Sequence, residues 1–179
     1  MVPMTPPGRL QVMTMRLQAT ADSVKIIKPA LEAFYNSLTD EQKARFNDVG
    51  PQLARQEHKK SGGEADQAEA NCSSDKAGLS GLATNRIEEN LQPNAAQGEA
   101  LDRLDAAMQK AVDFLREACP NTIPLTPVGR LDAMQKRLDA MIEAANAVRP
   151  ALDTFYASLN DEQKAKFNRL GREANQSGG

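Results

Sequence analysis

Residues 29–47 read PALEAFYNSLTDEQKARFN, and residues 150–168 read PALDTFYASLNDEQKAKFN. The two stretches belong to a longer repeat, because residues 5–50 align without a gap to residues 126–171 and share 24 of 46 positions. Self-similarity at a fixed offset indicates that one supersecondary unit occurs twice. The chain is therefore organised around this repeated unit.

Apolar residues in each copy alternate spacings of three and four, which is the a/d pattern of a long amphipathic helix. They are Leu10, Met13, Leu17, Thr20, Val24, Ile27, Leu31, Phe34 and Leu38 in the first copy, and Leu131, Met134, Leu138, Met141, Ala145, Val148, Leu152, Phe155 and Leu159 in the second. Pro29 and Pro150 fall inside these patterns, where a missing backbone donor kinks or interrupts a helix. We expect a long, bent helix in each copy.

A second helix is predicted to begin directly after each long one. An apolar residue is followed by a residue suited to the N-cap, and a glutamine stands three positions after that cap. This pattern is a capping box, in which the cap and the glutamine satisfy each other's backbone N–H groups. The residues are Leu38, Thr39 and Gln42 in the first copy, and Leu159, Asn160 and Gln163 in the second.

The composition favours an all-α protein. Aromatic residues are 4% of the chain and tryptophan is absent, whereas hydrophobic residues reach 40%. Strand-rich folds use aromatic and β-branched residues, and this chain uses Ala, Leu, Met, Gln, Lys and Glu. We therefore expect tandem helical hairpins with long kinked helices and no sheet.

Net charge argues against nucleic acid as a partner, and hydropathy argues against a membrane span. The net charge is −2, which does not provide the basic field that a nucleic-acid-binding protein needs. No apolar run approaches the roughly 18 residues that cross a bilayer. We expect neither nucleic acid as a partner nor a membrane span.

Three predicted domains differ in charge. Residues 1–60 carry +3, residues 61–120 carry −6, and residues 121–179 carry +1. The outer two hold the repeat copies. The middle one holds an acidic linker and a shorter helical hairpin, bracketed by Cys72 and Cys119.

The two cysteines flank the turn of that central hairpin near Pro93, so antiparallel helices would bring Cys72 and Cys119 together. We expect a disulfide between them, worth on the order of 4 kcal/mol in the loop-entropy account, and hence an oxidising compartment. The alternative is two buried or free thiols in a reducing cytoplasm.

No residue pattern predicts catalysis or a bound cofactor. His58, the single histidine, stands beside Lys59 in a solvated segment. Signatures of zinc, phosphate, calcium and nucleophile sites are missing from the sequence. We expect no enzyme, no metal and no cofactor.

Residues 38–42 read L-T-x-x-Q, residues 159–163 repeat this with Asn for Thr, and residues 91–97 look like a third, degenerate instance. With the helical hairpins, this resembles the LTXXQ-motif family, which includes the periplasmic Spy/CpxP-like chaperones and related envelope-stress and metal-resistance proteins. The resemblance implies an all-helical periplasmic protein that binds unfolded clients without ATP, often as a cradle-shaped dimer. Two modules in one chain make intramolecular pairing of the two repeats an alternative to a homodimer.

The leading hypothesis is therefore an ATP-independent chaperone-like or envelope-stress protein that binds unfolded or partner proteins. The alternative is a non-catalytic helical scaffold with one dedicated partner, and a metal-responsive sensor is less favoured because His-rich segments are missing. Residues 1–7 contain no export signal, so a periplasmic location implies a longer natural chain. The candidate client-binding residues are Lys28, Phe34, Tyr35, Arg149, Phe155 and Tyr156.

Overall fold

The computed structural model describes residues 5–48, 84–119 and 124–176, and this part of the chain forms six helices without a strand. The all-α prediction is confirmed. The helices are α1 (Pro6–Ser37), α2 (40–48), α3 (Thr84–Leu91), α4 (Ala95–Glu117), α5 (Pro127–Ser158) and α6 (Asp161–Gln176).

The long helices of the two copies, α1 and α5, begin in the same way. Thr5 and Thr126 are the N-caps, and each hydroxyl accepts a hydrogen bond from the backbone N–H three residues later, at 3.2 Å in α1 and 3.0 Å in α5. A proline follows each cap, where its missing N–H costs nothing. Each helix runs for 32 residues and continues through its internal proline, Pro29 or Pro150. The prolines therefore do not interrupt the helices, and the bend stays a prediction.

The main core lies between the central hairpin α3–α4 and the second hairpin α5–α6. Leu101 on α4 and Phe155 on α5 are fully buried at its centre. The other buried members are Ile87, Leu91, Ala100, Leu104, Met108, Leu152, Leu159 and Phe167. Residues from the predicted middle and third domains thus share one core, although the proposed boundaries themselves lie outside the described residues and the three-domain division stays a prediction.

The two repeats contact each other through α1 and α5. Ala21 and Val24 of α1 are buried against Leu138 of α5. The helices are antiparallel, because Lys28 in the second half of α1 forms an ion pair with Asp132 at the start of α5. This interface is smaller than the main core and more mixed in chemistry.

The a/d pattern does not form one continuous buried seam. Met13 and Ile27 on α1 are 45% and 55% exposed, and Met134 on α5 is 45% exposed. Among the methionines, Met108 is buried, whereas Met13, Met15 and Met134 are exposed. A heptad spacing predicts a helix with an apolar side, but whether a neighbour covers that side depends on the tertiary arrangement.

Outside the described residues lie the predicted acidic linker, His58 and Cys72. The third described segment begins at Pro124, so the chain between Cys119 and that residue is also outside them.

Stability at alkaline pH tests the ion pair between the repeats. The hydrogen bond to Asp132 raises the pKa of Lys28 above its usual 10.5. A raised lysine pKa means that the contribution to stability is complete below pH 10.5 and is lost as the pH rises through the folded-state value. We expect the urea midpoint of the wild type to exceed that of Lys28→Met at pH 8, and the gap to shrink above pH 10.5.

Lys136→Met, at an exposed position of α5, is the control for removing a lysine charge. If both variants lowered the urea midpoint by the same amount at every pH, the stabilising role of the Lys28–Asp132 pair would be contradicted.

Candidate functional site

Three of the helices begin with the same reciprocal capping box. In each, the backbone N–H of the cap residue donates to the side-chain oxygen of a glutamine, and the cap side chain accepts from the backbone N–H of that glutamine. The distances from the cap nitrogen to Oε1 are 2.9 Å for Thr39–Gln42, 3.0 Å for Asn94–Gln97 and 3.1 Å for Asn160–Gln163. The degenerate motif before α4 is therefore structurally equivalent to the other two.

Two of these glutamines meet inside the protein. Nε2 of Gln97 donates to Oε1 of Gln163 at 2.9 Å, and Nε2 of Gln163 donates back to Oε1 of Gln97 at 3.1 Å. The second N–H of each amide donates to a helix-end carbonyl, that of Ser158 at 2.8 Å for Gln97 and that of Leu91 at 3.1 Å for Gln163. Each amide thus uses both donors, and its oxygen accepts both from the partner and from its own cap.

Burial makes this arrangement specific. Gln97 and Gln163 are only 6% and 9% exposed. A buried amide is costly when a donor or acceptor lacks a partner, and a fully satisfied network favours one geometry over others. The pair therefore favours the alignment in which the motif of α3–α4 lies against the motif of α5–α6.

The pairing has approximate twofold symmetry. The first turn of α4, with Gln97, meets the last carbonyl of α5, and the first turn of α6, with Gln163, meets the last carbonyl of α3. Each contact brings the positive end of one helix dipole to the negative end of another. The partner of the second-repeat motif is consequently the central hairpin rather than the first repeat.

The first repeat has the same internal geometry as the second. The rings of Phe34 and Phe46 are T-shaped with centroids 5.6 Å apart, and the equivalent rings in the second repeat are also 5.6 Å apart. The hydroxyl of Tyr35 donates to Asn47 at 3.0 Å, and Lys43 Nζ lies 5.8 Å from the centre of the tyrosine ring, with the same contacts in the second copy. The α1–α2 hairpin is thus held together by its own contacts.

Burial distinguishes the two copies. We call Leu152, Phe155, Leu159, Gln163 and Phe167 the covered face, since all five are buried beneath or beside α3–α4. We call Leu31, Phe34, Leu38, Gln42 and Phe46 the open face. Phe34 is 52% exposed where Phe155 is 0% exposed, and Gln42 is exposed where Gln163 is buried.

The structure places the six candidate client-binding residues in different surroundings. Phe155 lies in the core, because α4 packs over it, so it is withdrawn from the candidate surface. Lys28 pairs with Asp132 between helices, and Arg149 Nε lies 3.8 Å from Asp153 on its own helix. The remaining three are Phe34, which is exposed, and the half-buried Tyr35 and Tyr156.

Sequence reasoning missed the most exposed apolar residue of α1. Ile26 is 78% exposed and adjoins Ile27, which is 55% exposed. Ile26 stands outside the a/d pattern, and the second copy has Ala147 at that position. An isoleucine off the pattern, present in one copy and replaced by alanine in the other, was the signal available in the sequence.

Two negative findings apply to residues 5–48, 84–119 and 124–176. No cluster of His, Cys, Asp or Glu side chains there has the number and proximity that hold a metal ion. None of the helices in this part of the chain combines the length and apolarity of a membrane span.

The model of the LTXXQ motif family matches residues 2–50 and 81–171. The chain belongs to the LTXXQ motif family. Searches of curated proteins and of solved structures found no match. The first matched range contains α1 and α2, and the second contains α3, α4, α5 and residues 161–171 of α6.

Matched truncations of the two equivalent phenylalanines test the difference between the faces. We expect Phe155→Ala to lower the free energy of unfolding by about 3–5 kcal/mol, because it leaves a cavity in the core. Phe34→Ala removes a ring that is already half in solvent and costs about 1 kcal/mol. Urea denaturation followed by helical circular dichroism measures both, and equal losses would show that the open face is covered in solution.

A double-mutant cycle tests the glutamine pair. Gln97→Ala and Gln163→Ala each leave buried donors and acceptors unpaired, at a cost of about 2–3 kcal/mol. Their combination should cost less than the sum of the two, because the second change removes a group already without its partner. Gln42→Ala, the control at the exposed motif, removes only a cap interaction worth about 1 kcal/mol or less.

Additive losses from the two buried glutamines would contradict a coupled pair. If Gln42→Ala lowered the free energy of unfolding as much as Gln163→Ala does, burial would not be the reason that the motif glutamine stabilises the protein.

Proposed function

We propose that this LTXXQ family protein is an ATP-independent chaperone-like protein of the periplasm, with a role in envelope stress, that binds unfolded proteins through exposed apolar side chains of α1. The observation that carries the proposal is the concentration of such side chains on one helix. They are Met13, Met15, Ile26, Ile27 and Phe34, each between 45% and 78% exposed.

Their chemistry suits transient binding of varied chains. Exposed large apolar side chains offer area for binding other chains, and methionine adapts its shape to different partners. Exposed Arg16 and Lys25 are interspersed among them, which gives short-lived electrostatic contacts with acidic segments. A shallow surface of this kind needs no pocket and no nucleotide. The proposal accordingly includes no catalytic step.

The cysteines support the proposed compartment. Cys119 follows Ala118, the C-cap of α4, and its Sγ lies 3.3 Å from the carbonyl oxygen of Leu115. Cys72 is the other cysteine of the chain. We propose that the two are joined in a disulfide, which is typical of an oxidising compartment. The family includes Spy/CpxP-like periplasmic proteins, which supports the same location.

Aggregation assays test client binding. The full chain, in its non-reduced form, is added without ATP to two unrelated chemically unfolded proteins, and light scattering is followed during dilution. We expect suppression near stoichiometric amounts for both clients. The double substitution Ile26→Gln and Ile27→Gln should weaken it several-fold, since glutamine keeps helix propensity while removing apolar area.

Leu125→Gln is the matched control, because Leu125 is 80% exposed but lies before α5 rather than on α1. Suppression unaffected by the α1 substitutions, or equally reduced by the control, would refute the assignment to this helix. Failure of the wild type to protect either client would refute the chaperone proposal itself.

A scaffold with one dedicated partner is the second candidate. The open face favours it, because its side chains have a defined arrangement that one partner of matching shape could fit. Saturable one-to-one binding to a single protein, without protection of unrelated clients, would support it over the chaperone.

A further inference from the structure

The open face of the α1–α2 hairpin has a template inside the same protein, because the covered face is its equivalent with an occupant in place. The four apolar residues and the glutamine of the open face are identical to their counterparts in the second repeat. Identical side chains on an equivalent helical hairpin favour the same contacts. The structure that lies on the covered face therefore shows what kind of partner fits the open face.

The occupant of the covered face is the short hairpin α3–α4. Its first helix has 8 residues and its second has 23. Ile87 and Leu91 of the first helix and Leu101 of the second are buried in the core that it shares with α5–α6. Its turn presents Gln97, which pairs reciprocally with Gln163. The fit thus requires an apolar side on both helices and a capped glutamine between them.

Charge separates this occupant from the repeat hairpins themselves. Residues 84–117, which contain α3–α4, carry four basic and seven acidic residues, so their net charge is −3. Residues 5–48 and 124–176, the described parts of the two repeats, each carry +1. The covered face therefore joins segments of opposite net charge. The first repeat has the same sign as the second, so its open face also favours an acidic hairpin over another repeat hairpin.

We propose that the open face binds an acidic helical hairpin of another protein, built like α3–α4 and with a capping-box glutamine at its turn. The amide of that glutamine donates to Oε1 of Gln42 and to the Ser37 carbonyl at the end of α1. In the second repeat, Gln97 makes the two equivalent bonds to Gln163 and Ser158. This binding goes beyond client capture by α1 and does not depend on it.

The side chains of the open face are already set for such a contact. Oε1 of Gln42 accepts from the backbone N–H of Thr39 at 2.9 Å, as Oε1 of Gln163 accepts from its own cap. The ring of Phe34 is held by its T-shaped contact with Phe46. Little ordering of these side chains is needed on association, which lowers its entropic cost.

The template also sets the extent of the site along α1. Val148, the counterpart of Ile27, packs against the main core, whereas Ile27 is 55% exposed. A hairpin on the open face therefore covers Ile27 together with Phe34. Met15 corresponds to Lys136, which stays exposed although the covered face is occupied. Met15 accordingly lies outside the site.

A chain with a second α3–α4 hairpin tests whether the open face accepts one. Residues 81–125 are duplicated and joined directly before Thr5, which reproduces the connection that leads from α4 to Thr126. Backbone amide exchange of residues 34–46 is compared between the natural and the extended chain. We expect exchange to slow at least about tenfold in the extended chain, because the docked hairpin suppresses local opening there.

Gln42→Glu should remove this added protection, because a carboxylate has no N–H to donate and places a charge beside an acidic hairpin. The α1–α2 turn itself should persist, since glutamate serves as well as glutamine in a capping box. Gln11→Glu, the same charge change at an exposed position near the start of α1, is the control and should leave the protection intact.

A free hairpin tests binding between separate proteins. The probe is a fluorescently labelled peptide of residues 81–118, titrated with the full natural chain and followed by anisotropy. The covered face holds a tethered hairpin, whose effective concentration is in the millimolar range, so the probe meets the open face. We expect saturable one-to-one binding, with a Kd that Gln42→Glu raises at least about tenfold and Gln11→Glu leaves nearly unchanged.

An open face that exchanges as fast in the extended chain as in the natural chain overturns the proposal. Protection in the extended chain without binding of the free probe overturns a separate protein as the occupant. Self-association of the natural chain that Gln42→Glu abolishes would show that a second copy takes the face instead. Aggregation suppression is measured without the probe, so failure of the proposed function and failure of this site are distinguishable.

Discussion

The reciprocal hydrogen bonds between Gln97 and Gln163 are the constraint on which the arrangement of the paired hairpins depends. Both amides are buried, so every donor and acceptor that they bring into the core must find a partner there. The partners are two helix caps and two helix-end carbonyls, which exist together only when the hairpins meet at their turns. Apolar packing of Leu101 and Phe155 supplies much of the stability of this core, but the glutamines determine the alignment of the helices that form it.

This pairing also explains how one motif serves two purposes. At each of the three turns, the glutamine first completes a capping box and thereby fixes the start of a helix. At two of the turns, the same side chain then joins one hairpin to another. In the first repeat, Gln42 completes the capping box but joins no second hairpin. Equivalent residues such as Phe34 and Phe155 therefore differ in burial, at 52% and 0% exposed.

Local features could be predicted from the sequence because their causes are local. The helix starts at Thr39 and Asn160 follow from cap chemistry over four residues, and the long helices follow from apolar spacing. Burial of Phe155 and exposure of Phe34 could not be predicted in the same way, because the residues around each are nearly identical and the difference lies in where α3–α4 packs. The pairing of Gln97 with Gln163 had one sequence signal, the degenerate motif at residues 91–97, but the insertion of Pro93 in that turn concealed its equivalence to the other two.

The two interfaces described above, between the paired hairpins and between α1 and α5, differ in the forces that hold them. The junction between the paired hairpins contains neutral amides, which have no charge to titrate or to screen, so dissolved ions have little effect on it. The interface between the repeats includes the partly exposed Lys28–Asp132 ion pair, whose attraction weakens with rising ionic strength. High salt therefore screens the ion-pair part of the contact between α1 and α5, whereas the buried apolar contact of Ala21, Val24 and Leu138 and the amide junction between the hairpins have no charge for it to screen.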